Sequence, residues 1–212
     1  MRCLRYISRL TSAILALGLL SGCAHPYKSL RPFPGNAACA RAFRPAFTSV
    51  LYRTEVDVVG RHLGGLLVIK TMPDSSIRLV FTSEMGLTFF DFGFAADGQF
   101  TVHHILHQMD KKAVITTLRK DFGLVLWEHT EDTRLLTLTD GRDRYYGFPQ
   151  EKGVNYYITD TACSHLLRAE RASRTKTIVT AQLLDYSNGI PDSIFISHKQ
   201  FHFTIALKRL EQ

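Results

Sequence analysis

The sequence predicts a mainly β, α+β fold. It reads as an antiparallel meander of about ten to eleven strands, curled into a half-open barrel, with one internal helix (about 111–127) on the concave side. Three observations predict it. Apolar side chains recur with period two through most of the chain. Short turn signals separate those segments, and short connections make antiparallel neighbours. One segment alone switches to the helical period, and nothing in the chain repeats or divides it into two domains.

Pro26, Pro32 and Pro34 mark residues 25–35 as an extended tether. Asn36 is placed to cap a short helix over Ala37 to Phe43, which Pro45 ends. From Thr48, Val50, Tyr52, Thr54, Val56 and Val58 face one way as a half-buried strand. Gly60 opens a turn, and Gly64-Gly65 predicts a bend or bulge leading into Leu66–Lys70. Pro73 to Ser76 is a turn, and Ile77, Leu79 and Phe81 alternate in the next strand. Ser83 to Gly86 turns the chain into a very aromatic strand, Leu87–Phe94, with Phe90, Phe92 and Phe94 on one face and Phe89 on the other. Ala96-Asp97-Gly98 is a hairpin signal leading to Gln99–Leu106. Asp110 is then placed to cap a helix whose Val114, Leu118, Phe122 and Val125 share a face. Strands return at Arg134–Thr139, Arg144–Phe148, Val154–Thr159, Cys163–Arg171, Lys176–Tyr186, Ser193–His198 and Phe201–Leu210.

The N-terminus has its own logic. Arg2, Arg5 and Arg9 form a basic region, Ala13 to Leu20 a short apolar run, and Ser21 and Gly22 the small residues of a cleavage site. That run is too short to span a bilayer, which takes about 20 residues. Leu20-Ser21-Gly22-Cys23 resembles a bacterial lipobox, which implies that the Cys23 thiol carries a covalent lipid, such as a palmitate-bearing one, and needs no other cofactor. With Ala24 rather than Asp after it, the same resemblance implies sorting to the outer membrane.

Composition narrows the rest. The chain has 212 residues, 45% hydrophobic and 11% aromatic, and a formal charge of +7. With three arginines in the leader, 23 basic side chains remain against 19 acidic ones, a net +4. That charge is mild and scattered, so nucleic acid is not an expected partner, whereas a membrane surface is compatible. Beyond Cys3 and Cys23, Cys39 and Cys163 remain. In an oxidising compartment they either form a disulfide or stay separate buried thiols.

A lipobox, a short helix, a strand meander, an interrupting helix and a C-terminal hairpin after Gly189-Ile190-Pro191 together resemble the LolA/LolB family, and most closely its lipidated member. The resemblance covers about 43–210 and rests on order and pattern. It implies an incomplete β-barrel with an apolar cavity for acyl chains. The division it implies is a signal peptide at 1–22, a lipidated tether with a short helix at 23–45, and a single β domain of this type at 46–212. It also implies that Met85, before Gly86 in the Thr82–Gly86 turn, corresponds to the family's membrane-inserting loop residue. The expected partners are membrane lipid and either the acyl chains of other lipoproteins or a periplasmic carrier, with the chain itself a monomer.

Candidate cavity-lining residues are Val56, Val58, Leu79, Phe81, Phe90, Phe92 and Trp127; the alternative is that they form a closed core. His103, His104 and His107 are the densest histidine group, yet zinc needs a third or fourth ligand in defined geometry, and no metal site is expected. No nucleophile elbow, phosphate loop, Cys-x-x-Cys or dinucleotide fingerprint occurs, so no catalytic residues are expected and the chain is read as a non-enzyme. The expected function is a lipid-anchored protein on the periplasmic face of the outer membrane that binds acyl chains or lipoproteins. The alternative is an assembly lipoprotein with a closed core acting through a protein partner.

Overall fold

The computed structural model describes residues 26–130 and 134–210. The predicted leader and Cys23 lie outside the described residues. Thirteen strands form one antiparallel sheet: β1 (Arg31–Pro32), β2 (Ser49–Val58), β3 (Arg61–Thr71), β4 (Ile77–Thr82), β5 (Thr88–Phe94), β6 (Phe100–Ile105), β7 (Leu136–Thr139), β8 (Asp143–Pro149), β9 (Val154–Asp160), β10 (Leu166–Ala172), β11 (Thr177–Ser187), β12 (Ile190–His198) and β13 (Phe203–Arg209). Among the described residues two helices accompany them, α1 (Ala38–Arg41) and α2 (Lys112–Val125), with a 3-10 turn at His107–Met109. The spatial order is β1-β7-β8-β9-β10-β11-β12-β13-β2-β3-β4-β5-β6, so the sheet is open, with β1 and β6 as its edges.

The meander therefore closes the chain's two halves through β13 against β2, in the register Ile205 to Val56. The sheet must also bend. Phe122 of α2 packs its ring 5.8 Å from Phe90 of β5, and Tyr157 of β9 donates its hydroxyl to the Leu124 carbonyl of the same helix at 2.9 Å. Between β5 and β9 lie eight strand steps, about 38 Å if flat. A helix is only about 10–12 Å across, so the sheet wraps around α2.

Several elements differ from expectation. The strands number thirteen rather than about ten to eleven, and one of the additions is part of the predicted tether, which joins the sheet. Arg31 and Pro32 pair with Thr139 and Leu138, Phe33 exchanges hydrogen bonds with Thr137, and Tyr27 stacks on Tyr156 at 4.9 Å. β3 starts at Arg61 and runs through Gly64 and Gly65 with unbroken register against β2. Gly65 is there for close approach: a Cβ would lie 2.0 Å from the Thr82 carbonyl oxygen. The bulge falls instead in β5, where Phe81 pairs with Phe90 and Thr82 with Thr88. Phe89 is the extra residue, so Phe89 and Phe90 both point inward and both are buried.

At the start of α2, Asp110 closes the preceding 3-10 turn, and Lys111 occupies the cap position with extended backbone and no side-chain cap. The helix ends at Val125, two residues before Trp127. Glu128 N–H donates to the Gly123 carbonyl at 2.9 Å and Trp127 N–H to that of Leu124 at 3.4 Å. This is a Schellman ending in which Trp127, at φ 60°, takes the position usually given to glycine. Its ring, buried, stacks on Tyr157 with centroids 3.6 Å apart.

Candidate functional site

The C-terminal half of α2 is held to the sheet by polar contacts, whereas its first turns meet it among the described residues through apolar side chains such as Val114. Asp121 is fully buried. Its carboxylate lies 2.7 Å from His198 Nε2 of β12 and 3.0 Å from an Arg171 guanidinium nitrogen of β10. Burial pushes the Arg171 guanidinium below its usual value, and the neighbouring Asp121 opposes that shift. With the Tyr157 bond to Leu124, these contacts anchor the last two turns. Lys112, Ala113 and Thr116 in the first turns remain exposed.

Under those first turns lies an apolar cavity of about 500 Å³, inside the range of about 300–1,000 Å³ usual for small-ligand sites. Its walls are the inward faces of β2, β3, β4, β5 and β13 and the α2 side chains Val114, Thr117, Leu118 and Phe122. Leu106 and Met109 come from the segment before the helix, Arg61 from the first position of β3, and Phe201 from the β12–β13 turn. Thr54 and Gln108 are among its few uncharged polar groups, and Arg61 and Lys111 its only charged ones among the described residues.

Of the residues singled out from sequence, Val56, Val58, Phe81 and Phe90 line this cavity. Leu79 and Phe92 point to the same interior but are fully buried in packed core and do not line it. Trp127 does not line it either, being sealed against Tyr157. Phe89, Leu63, Phe203 and Ile205 line it without having been singled out. Phe89 was hidden by the bulge. Phe203 and Ile205 were visible as the alternating face of the last strand, opposite Val58 and Val56 once that strand is paired with β2.

Met85 is 97% exposed at the tip of the β4–β5 turn. By strand direction this turn shares its end of the sheet with the β2–β3 and β12–β13 turns. Those turns expose Val59 (73%) and Phe201 (46%). Cys39 and Cys163 form a disulfide with Cα atoms 5.8 Å apart, tying α1 to the β9–β10 turn. Asp91, on the outer face of β5, receives two hydrogen bonds from Arg78, at 2.8 and 2.7 Å. His103, His104 and His107 are all exposed. Among the described residues no group of three His, Cys, Asp or Glu side chains is arranged to hold a metal, and no helix is long and apolar enough to cross a membrane.

No protein-family model and no curated protein matches this sequence. Three solved structures show similarity to it. A LolA superfamily protein from Nitrosomonas europaea aligns with TM-score 0.45 at 9% identity, over 82% of this chain and 89% of that one. A DUF1329 family protein from Desulfovibrio piger aligns with TM-score 0.43 at 9% identity, over 82% and 89%. An outer membrane lipoprotein-sorting protein domain from Vibrio parahaemolyticus aligns with TM-score 0.41 at 6% identity, over 81% and 87%.

Proposed function

We propose that this chain is a non-enzymatic acyl-chain-binding protein, tethered through a lipid on Cys23 to the periplasmic face of the outer membrane. The observation that carries the reading is the apolar cavity beneath the first turns of α2. Each methylene moved there from water contributes about 0.8 kcal/mol, so ten contribute about 8 kcal/mol before the cost of ordering the chain. The lining is apolar and without a converging set of polar groups, which suits a ligand recognised by length and shape. A lipoprotein's acyl chains, delivered by a periplasmic carrier or taken from the bilayer, have that chemistry.

The exposed Met85, Val59 and Phe201 at one end of the sheet fit a rim that touches lipid, with the cavity reaching the same rim through Phe201 and Arg61. Met85→Glu is expected to weaken association with liposomes in a flotation assay while leaving stability within about 0.5 kcal/mol, as for an exposed turn residue. An unchanged flotation profile would remove Met85 from the rim. The cavity itself is tested with a fluorescent fatty acid. Thr117→Trp, which fills the space from the helix side, is expected to abolish saturable binding with the far-ultraviolet circular dichroism unchanged. Undiminished binding would place the ligand elsewhere.

A further inference from the structure

On its other flank α2 borders a second cavity, of about 790 Å³, whose lining among the described residues mixes apolar side chains with six basic ones from Lys and Arg. Lys112 and Lys120 of the helix face it from one side, and Arg134 and Lys152 from the other. All four are exposed at the mouth. Among the described residues none of these four has a carboxylate partner, whereas Arg119 and His129 in the same wall share Glu128, at 3.8 and 3.3 Å. Glu151 is the second acidic side chain of the lining. Deeper in lie Arg171, already held by Asp121, and Asn155. Asn155 is only 6% exposed, and its Oδ1 has no hydrogen-bond partner among the described residues. A buried acceptor left unmet costs about 1–3 kcal/mol, and the group that relieves it must donate a hydrogen.

We propose that this cavity binds a phosphate ester that carries hydroxyl groups. The cations at the mouth supply the charge that a phosphate needs, in a concave setting that concentrates their field. The orphaned Asn155 acceptor calls for a hydroxyl rather than a bare anion, and the volume exceeds what one inorganic ion fills. The chemistry occurs in the glycerophosphate headgroup of an anionic lipid and in soluble polyol phosphates. The proposal does not depend on acyl chains occupying the apolar cavity.

Two probes separate the sources: sn-glycerol 3-phosphate by titration calorimetry, and phosphatidylglycerol against phosphatidylcholine vesicles by flotation. At low salt the protein is expected to bind at least one of them saturably, with phosphatidylcholine inert. Lys112→Gln/Lys120→Gln, on exposed positions, is expected to weaken that binding about tenfold. Binding of the soluble probe points to a polyol phosphate, and binding of vesicles alone to the lipid headgroup. Absence of saturable binding to both probes would overturn the proposal, as would binding that the double substitution leaves unchanged. Inorganic phosphate binding as tightly as glycerol 3-phosphate would do the same.

Discussion

Asp121, His198 and Arg171 meet from three elements, and the carboxylate is the only anion among the described residues paired with either side chain. Removing it leaves a guanidinium whose side chain is 11% exposed without a counter-charge. Asp121→Ala is therefore expected to destabilise the fold by about 3–5 kcal/mol in urea denaturation. Glu128 shows the opposite balance. Burial raises its carboxyl above the ordinary glutamate value, against the pull of His129 and Arg119. The folded state then holds its proton more tightly than the unfolded one. Stability contributed at low pH is lost as pH rises from the ordinary value, about 4.5, through the raised one. Glu128→Gln should flatten that fall: the stability of the variant relative to the parent rises as pH climbs above the ordinary value of about 4.5. A constant difference over that climb would contradict it. The Asp121 pairings were not legible in the sequence, because partners separated by 50 and 77 positions leave no local period. The outward side of Asp91 was legible, since alternation on β5 alone decides it, and its two bonds to Arg78 fit that placement.

The strands followed from period two almost throughout, because each half-buried strand writes its inward face into the sequence. What escaped was set by pairing rather than by pattern. β1 is two residues long and joins an edge already defined by β7. The β5 bulge exists only relative to β4. α2 was legible from its apolar face, but its start was misassigned because Asp110 serves the preceding 3-10 turn. That leaves Lys111 at the cap with suitable backbone (φ −131°, ψ 131°) and no side-chain acceptor. Lys111→Ser is expected to stabilise the protein by about 0.5–1 kcal/mol, read as a raised denaturation midpoint. No change would mean that the first turn is held by its neighbours rather than by its cap.

Across the whole molecule, α2 divides the interior of the open sheet into an apolar space of about 500 Å³ and a mixed one of about 790 Å³ that carries, among the described residues, six basic side chains from Lys and Arg. The residues fixing this arrangement sit at the helix C-terminal end, and the sheet is tied to the N-terminal segment by the Cys39–Cys163 disulfide across 124 positions. Four of the seven lining residues anticipated from sequence face the apolar space, because alternation tells inward from outward but not packed core from cavity wall. Leu79 and Phe92 are inward and sealed; Val56 and Phe90 are inward and line the space. The central claim is that this space holds an acyl chain. Native mass spectrometry of the protein purified from cells, with and without Thr117→Trp, tests it most directly. One acyl-chain lipid per parent molecule is expected, beyond any covalent anchor, and none on the variant. A parent protein that is consistently empty, or a variant that carries the same lipid, would contradict it.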